Sequence, residues 1–134
     1  MRIEEVEGIG IINADKLDME GIRTVDDLLR ECGSAGGRRY VSQETGIPEE
    51  RLLEWTNRCD LMRIPGVGSE YSDLLEAVGV DSPTELARRN PANLAAAFQR
   101  YDAEHPNVVR RVPSEAMIAE WIRVADEMAK VVTH

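Results

Sequence analysis

The chain has 134 residues, 43% of them hydrophobic and 4% aromatic, and a formal net charge of −9 from 16 Lys and Arg against 25 Asp and Glu. That length allows one sizeable core or two small ones, and no apolar run is long enough to span a bilayer. Residues 1–63 carry 9 basic and 14 acidic side chains and residues 64–134 carry 7 and 11, so neither half shows the basic footprint usual in a free-standing nucleic-acid binder.

The N-terminus MRIEEVEG lacks the apolar core of a signal peptide, so a cytoplasmic location is expected. Apolar residues recur at three- and four-residue spacing, with no long Val/Ile/Thr alternation, which predicts an all-α fold. Met1–Glu5 supplies about one turn. Val6, Gly8 and Gly10 lead into a helix predicted through about Met19, with Ala14 and Leu17 on its inner face. Gly21 ends that helix as a residue able to take positive φ. Thr24 caps the next one, and Asp27 completes a capping box. A shorter third helix and a long helix bearing Trp55, running to about Arg63, follow. Cys32 and Cys59 fit no metal-ligand spacing and read as reduced, buried thiols.

The chain then repeats itself. Gly8 matches Gly66, Gly10 matches Gly68, Leu17 matches Leu75, Gly21 matches Gly79 and Leu28 matches Leu86, each pair 58 positions apart. Gly79 is expected to end a helix, Ser82 to cap the next, and Pro83 and Glu85 to occupy its first turn. The match loosens but persists to Trp55 and Trp121, now 66 positions apart. The additional residues of the second copy fall between about Phe98 and Pro113, as a loop or broken helix. Both tryptophans are expected as core anchors. Asp60 and Asp126 align as acceptors for backbone N–H groups.

Each copy opens on apolar-x-Gly-apolar-Gly-x-x-x-small-x-x-Leu. The first glycine permits a tight turn, and the second brings the backbone close to a neighbour. The helix that follows begins with unpaired, positively polarised N–H groups, suited to a phosphate oxygen. The motif resembles the helix-hairpin-helix of DNA-repair and replication proteins. That resemblance implies phosphate contacts at Gly10, Ile12 and Asn13, and at Gly68, Glu70 and Tyr71, behind the turns at Gly8 and Gly66. It also implies carbonyl positions for a monovalent cation at Glu4, Val6 and Ile9, and at Met62, Ile64 and Val67. The competing reading is that the turns only join helices. Ser69-Glu70-Tyr71-Ser72-Asp73 puts carboxylates where a phosphate would approach. A dinucleotide fingerprint is excluded, because no strand precedes either glycine pair and the third glycine is missing.

Arg88, Arg89, Arg100, Arg110 and Arg111 cluster in the second copy, and Arg38-Arg39-Tyr40 follows Gly36-Gly37 in the first. Converging, they would form a basic patch; apart, they would pair with acids or cap helix ends. The two histidines, His105 and His134, complete no catalytic or ligand set, so no enzyme, cofactor or metal is expected.

A wider resemblance covers nearly the whole chain. TGI.EE.LLEW.NR.DLMRI.GVG, DLLEA.GVD, ELA.RNPANLA and RR.P…I.EW are similar to the family called domain of unknown function 4332. It implies a helical, helix-hairpin-helix-like fold and no activity. The expected architecture is two tandem helix-hairpin-helix-type repeats, 1–63 and 64–134, packed as one helical body. The expected function is non-enzymatic: weak, sequence-independent contact with nucleic-acid backbone through the two turns, with Arg88, Arg89, Arg110 and Arg111 assisting. The alternative is a protein-interaction or assembly module on the same fold. The oligomeric state is left open.

Overall fold

Thr24 accepts a hydrogen bond from the Asp27 N–H at 3.1 Å, and the Asp27 carboxylate accepts from the Thr24 N–H at 3.1 Å. This capping box starts a helix where the sequence predicts one. The Arg23 N–H, and then the Arg30 guanidinium, hold the Asp27 carboxyl down at about 2. The same logic sets the other starts. Ser82 accepts from Glu85 N–H, Asn90 from Asn93 N–H and Ser114 from Met117 N–H, with Pro83 and Pro91 in first-turn positions.

The computed structural model describes residues 1–128 and 130–134, and it is all-α. A 3-10 turn at Ile3–Glu5 precedes α1 (Gly10–Met19), α2 (Val25–Cys32), α3 (Ala35–Thr45) and α4 (Glu49–Leu61). Then come α5 (Ser69–Ala77), α6 (Pro83–Ala87), α7 (Pro91–Glu104) and α8 (Glu115–Glu127). No helix among the described residues is long and apolar enough to cross a membrane.

One expectation needs correction. The third helix of each copy is longer than the second, not shorter: α3 has 11 residues against 8 in α2, and α7 has 14 against 5 in α6. Gly36 and Gly37 lie inside α3, because Ser34 caps it by accepting from the Gly37 N–H at 3.0 Å. In the second copy, Pro91 and the Asn90 cap start α7 early, and it continues through Tyr101 to Glu104 before the loop begins.

The chain divides into two compact units, Met1–Asp60 with the described part of Ala129–His134, and Leu61–Met128. In the first, Leu17, Ile22, Leu28, Leu52 and Trp55 are buried, and α2 packs on α3. The segment after Met1 is tied to the α1–α2 turn by Ile3 N–H to Arg23 carbonyl (2.9 Å) and Val25 N–H to Met1 carbonyl (3.0 Å). Residues 130–134 lie against the α2–α3 corner, where Thr133 N–H donates to the Gly33 carbonyl at 2.8 Å. In the second unit, α6 and α7 pack on α8 around Leu75, Leu86, Phe98 and Ile118.

Both cysteines are buried and unbridged. Burial pushes the Cys32 thiol up to about 11 and the Cys59 thiol up to about 12. A thiol-exchange reagent at about pH 8 should therefore leave both unlabelled in the native protein and label both after unfolding. Rapid native labelling would contradict the packing.

Candidate nucleic-acid interface

The two glycine turns begin alike. Gly8 has φ 91° and Gly66 has φ 90°, a region L side chains rarely adopt. Ile9 N–H donates to the Val6 carbonyl at 3.3 Å, and Val67 N–H donates to the Ile64 carbonyl at 3.0 Å. Each first glycine sits on the indole nitrogen of its unit's tryptophan. A Cβ on Gly8 would stand 3.6 Å from Trp55 Nε1, and one on Gly66 would stand 3.3 Å from Trp121 Nε1. The tryptophans are core residues, 1% and 3% exposed, and they are also the floor of the turns. The second glycines differ: Gly10 has φ 72°, whereas Gly68 has φ −98° and extended backbone.

The surroundings of the two turns diverge further. At the first, Ile12 is exposed and apolar, and the Asn13 side chain turns back to donate to the Ile9 carbonyl at 2.9 Å. Arg51 is the nearby cation. It lies 5.3 Å from the centre of the Trp55 ring and donates to the Gly8 carbonyl at 3.4 Å. Sequence reasoning missed it, because Arg51 is remote from the glycines along the chain.

At the second turn the loop after α7 folds back. Tyr71 leans on Trp121 with ring centres 5.3 Å apart, and its hydroxyl donates to the Arg111 carbonyl at 2.9 Å. The Glu70 carboxylate accepts from the Arg110 N–H. Val109 and Pro113 are buried, so the loop is pinned on both sides of two exposed arginines. The result is an open cleft of about 470 Å³ lined by Gly66, Gly68, Ser69, Tyr71, Arg110 and Arg111, with Glu70 at its edge. Residues 40 positions apart are thereby joined. The N–H groups of Ser69, Glu70 and Tyr71 belong to the first turn of α5, where helix geometry supplies no partner.

Arg88, Arg89 and Arg38 are engaged locally. Arg89 donates to the Gly79 carbonyl at 3.1 Å and pairs with Glu85 at 3.1 Å, while Arg88 stands 4.0 Å from Glu85. Arg38 is buried, its guanidinium donating to the Cys32 and Gly33 carbonyls at 3.0 Å each, and Arg39 is exposed. Asp60 is buried, whereas Asp126 is exposed despite its matching position. His105 stacks on Tyr101 with ring centres 4.2 Å apart. Among the described residues no group of three or more His, Cys, Asp or Glu is arranged to hold a metal ion.

Residues 7–128 match the family model described as domain of unknown function (DUF4332). No curated protein and no solved structure matches the chain.

Proposed function

We propose, taking as premise that the chain belongs to the DUF4332 family, whose name carries no activity, that it is a non-enzymatic module contacting nucleic-acid backbone. The glycine turns are read as tandem helix-hairpin-helix-type motifs, and the second is the working one. Its phosphate ligands are the N–H groups of Gly68, Glu70 and Tyr71 with the side chains of Arg110 and Arg111. The single observation that carries this reading is the cleft joining those residues. The first-turn N–H groups of α5 supply positive potential, and the two arginines add mobile charge. Glu70, a repulsive group on sequence grounds, spends its carboxylate on the Arg110 N–H and so anchors the basic loop. The net charge of −9 opposes any polyanion and sets the expected affinity low.

No element of this site reads bases, so binding is expected to be independent of sequence. In anisotropy titrations with a labelled mixed-sequence oligonucleotide, binding should appear at about 50 mM salt. It should weaken with a shallow log–log salt slope near −2, about 0.9 for each of two or three phosphate contacts. Arg110→Glu combined with Arg111→Glu should abolish it, while Arg88→Glu combined with Arg89→Glu should reduce it only through net charge. Absence of binding at low salt, or equal losses from the two double variants, would defeat the assignment.

A further inference from the structure

The outer face of α1 is unusual for a surface helix. Ala14 and Leu17 bury its inner side at 8% and 0% exposure, yet Ile11, Ile12 and Met19 on the other side are 77%, 74% and 84% exposed. Ile12 and Met19 are seven residues apart and therefore share one stripe, while Ile11 lies about a quarter turn round the helix, beyond Asp15. A single exposed apolar side chain needs no explanation, but two large ones aligned on the outer stripe of a ten-residue helix form an apolar face. The matching helix of the second unit lacks it. At the same offset of 58 positions, Ser69, Glu70 and Ala77 replace Ile11, Ile12 and Met19.

We infer that this stripe docks against the same stripe of a second copy of the chain, the two α1 helices lying side by side and parallel about a two-fold axis. Charge decides the partner. Asp15 and Lys16 are exposed and flank the stripe on opposite sides, between Ile12 and Met19. Under a two-fold along the helices, Ile12 meets Ile12 of the second copy and Met19 meets Met19. Asp15 then faces Lys16 of the second copy, and Lys16 faces Asp15. An antiparallel pair would set Asp15 against Asp15 and Lys16 against Lys16. The face is thus complementary to itself in one orientation, as an isologous contact requires. A polyanion or anionic membrane would meet Asp15 and Asp18, and a purely cationic partner would meet Lys16. One helix face gives an interface at the small end of the range, under about 1,200 Å² in total, so the dimer is transient.

Sedimentation equilibrium of the full chain, over about 10 µM to 1 mM protein, tests this directly. The native chain should shift from monomer towards dimer across that range. Ile12→Asp, at an exposed position, should keep the fold by circular dichroism and remain monomeric. Asp15→Lys should weaken association about tenfold, because like charges then face each other. Adding Lys16→Asp should restore it, because the swapped pair is again complementary. A native chain that stays monomeric at the highest concentration overturns the inference. So does a double variant no better than Asp15→Lys, since the parallel register alone predicts rescue. The inference is independent of nucleic-acid binding at the second turn.

Discussion

Gly37→Ala should cost about 3 kcal/mol or more, while Gly36→Ala, one residue away, should stabilise the protein by about 0.5–1 kcal/mol. Both glycines lie in α3, and Gly36 is exposed with nothing within 4 Å of an added Cβ. Alanine there reduces the freedom of the unfolded chain and improves helix propensity. Gly37 faces inward, and its Cβ would overlap the backbone carbonyl oxygen of Glu31 in α2. A backbone atom cannot escape by changing rotamer, so α3 would have to move off α2. Urea or thermal denaturation of the two variants decides the matter. For a chain of this size the Gly37 variant should melt lower by about 10 °C. Equal effects from the two substitutions would mean that α2 and α3 do not approach as closely as described.

Arg38→Met should cost about 2–3 kcal/mol and loosen the C-terminal segment. Arg38 is 4% exposed, and its guanidinium serves the Cys32, Gly33 and Thr133 carbonyls. Cys32 and Gly33 close α2, so the side chain supplies donors, and a positive charge, to a helix C-terminus. Methionine replaces the volume but removes the guanidinium donors from the Cys32 and Thr133 carbonyls and leaves the Gly33 carbonyl with the Thr133 N–H alone. Removing a buried cation recovers part of the loss, which keeps the estimate below that for breaking a buried ion pair. Arg38→Lys should recover only part of the stability, since an ammonium cannot span the same three acceptors as a planar fork. Hydrogen exchange at the Thr133 N–H, bonded to the Gly33 carbonyl at 2.8 Å, should accelerate in the methionine variant. An Arg38→Met protein as stable as the native one would show that the buried charge is a burden and not a cap.

The same corner explains Gly33. A Cβ there would stand 2.5 Å from the Val131 carbonyl oxygen and 2.6 Å from that of Leu29. Glycine at this position lets residues 130–134 run close beside α2. His134 reaches to 3.2 Å from the Asn57 side chain in the same unit.

Much of the helical layout was legible because its signals are local. Gly21 and Gly79 end helices at φ 78° and 93°, and Thr24, Asp27, Ser82 and Pro83 start them, all within reach of a few neighbouring residues. The bounds of α1 follow from the glycine turn before it and Gly21 after it, and the inward direction of Ala14 and Leu17 from periodicity. The failures have one cause. Arg38 and Arg39 are indistinguishable in sequence, yet one is buried and the other exposed. Arg110 and Arg111 line the cleft at the second turn, whereas Arg88 and Arg89 answer Glu85 and Gly79. Gly36 and Gly37 are adjacent and alike in sequence, although only Gly37 is required by a neighbour.

The sequence by itself determined an all-α chain with two matched glycine turns, their caps and their buried tryptophans, because torsional preference, capping and 3.6-residue periodicity act over a few residues. Only the tertiary structure decided which charges stand together. A guanidinium on a long, flexible stem takes whatever acceptor the packing presents, and spacing along the chain does not record that. The second turn therefore carries the cleft with Arg110 and Arg111, and the helix after the first carries exposed apolar side chains.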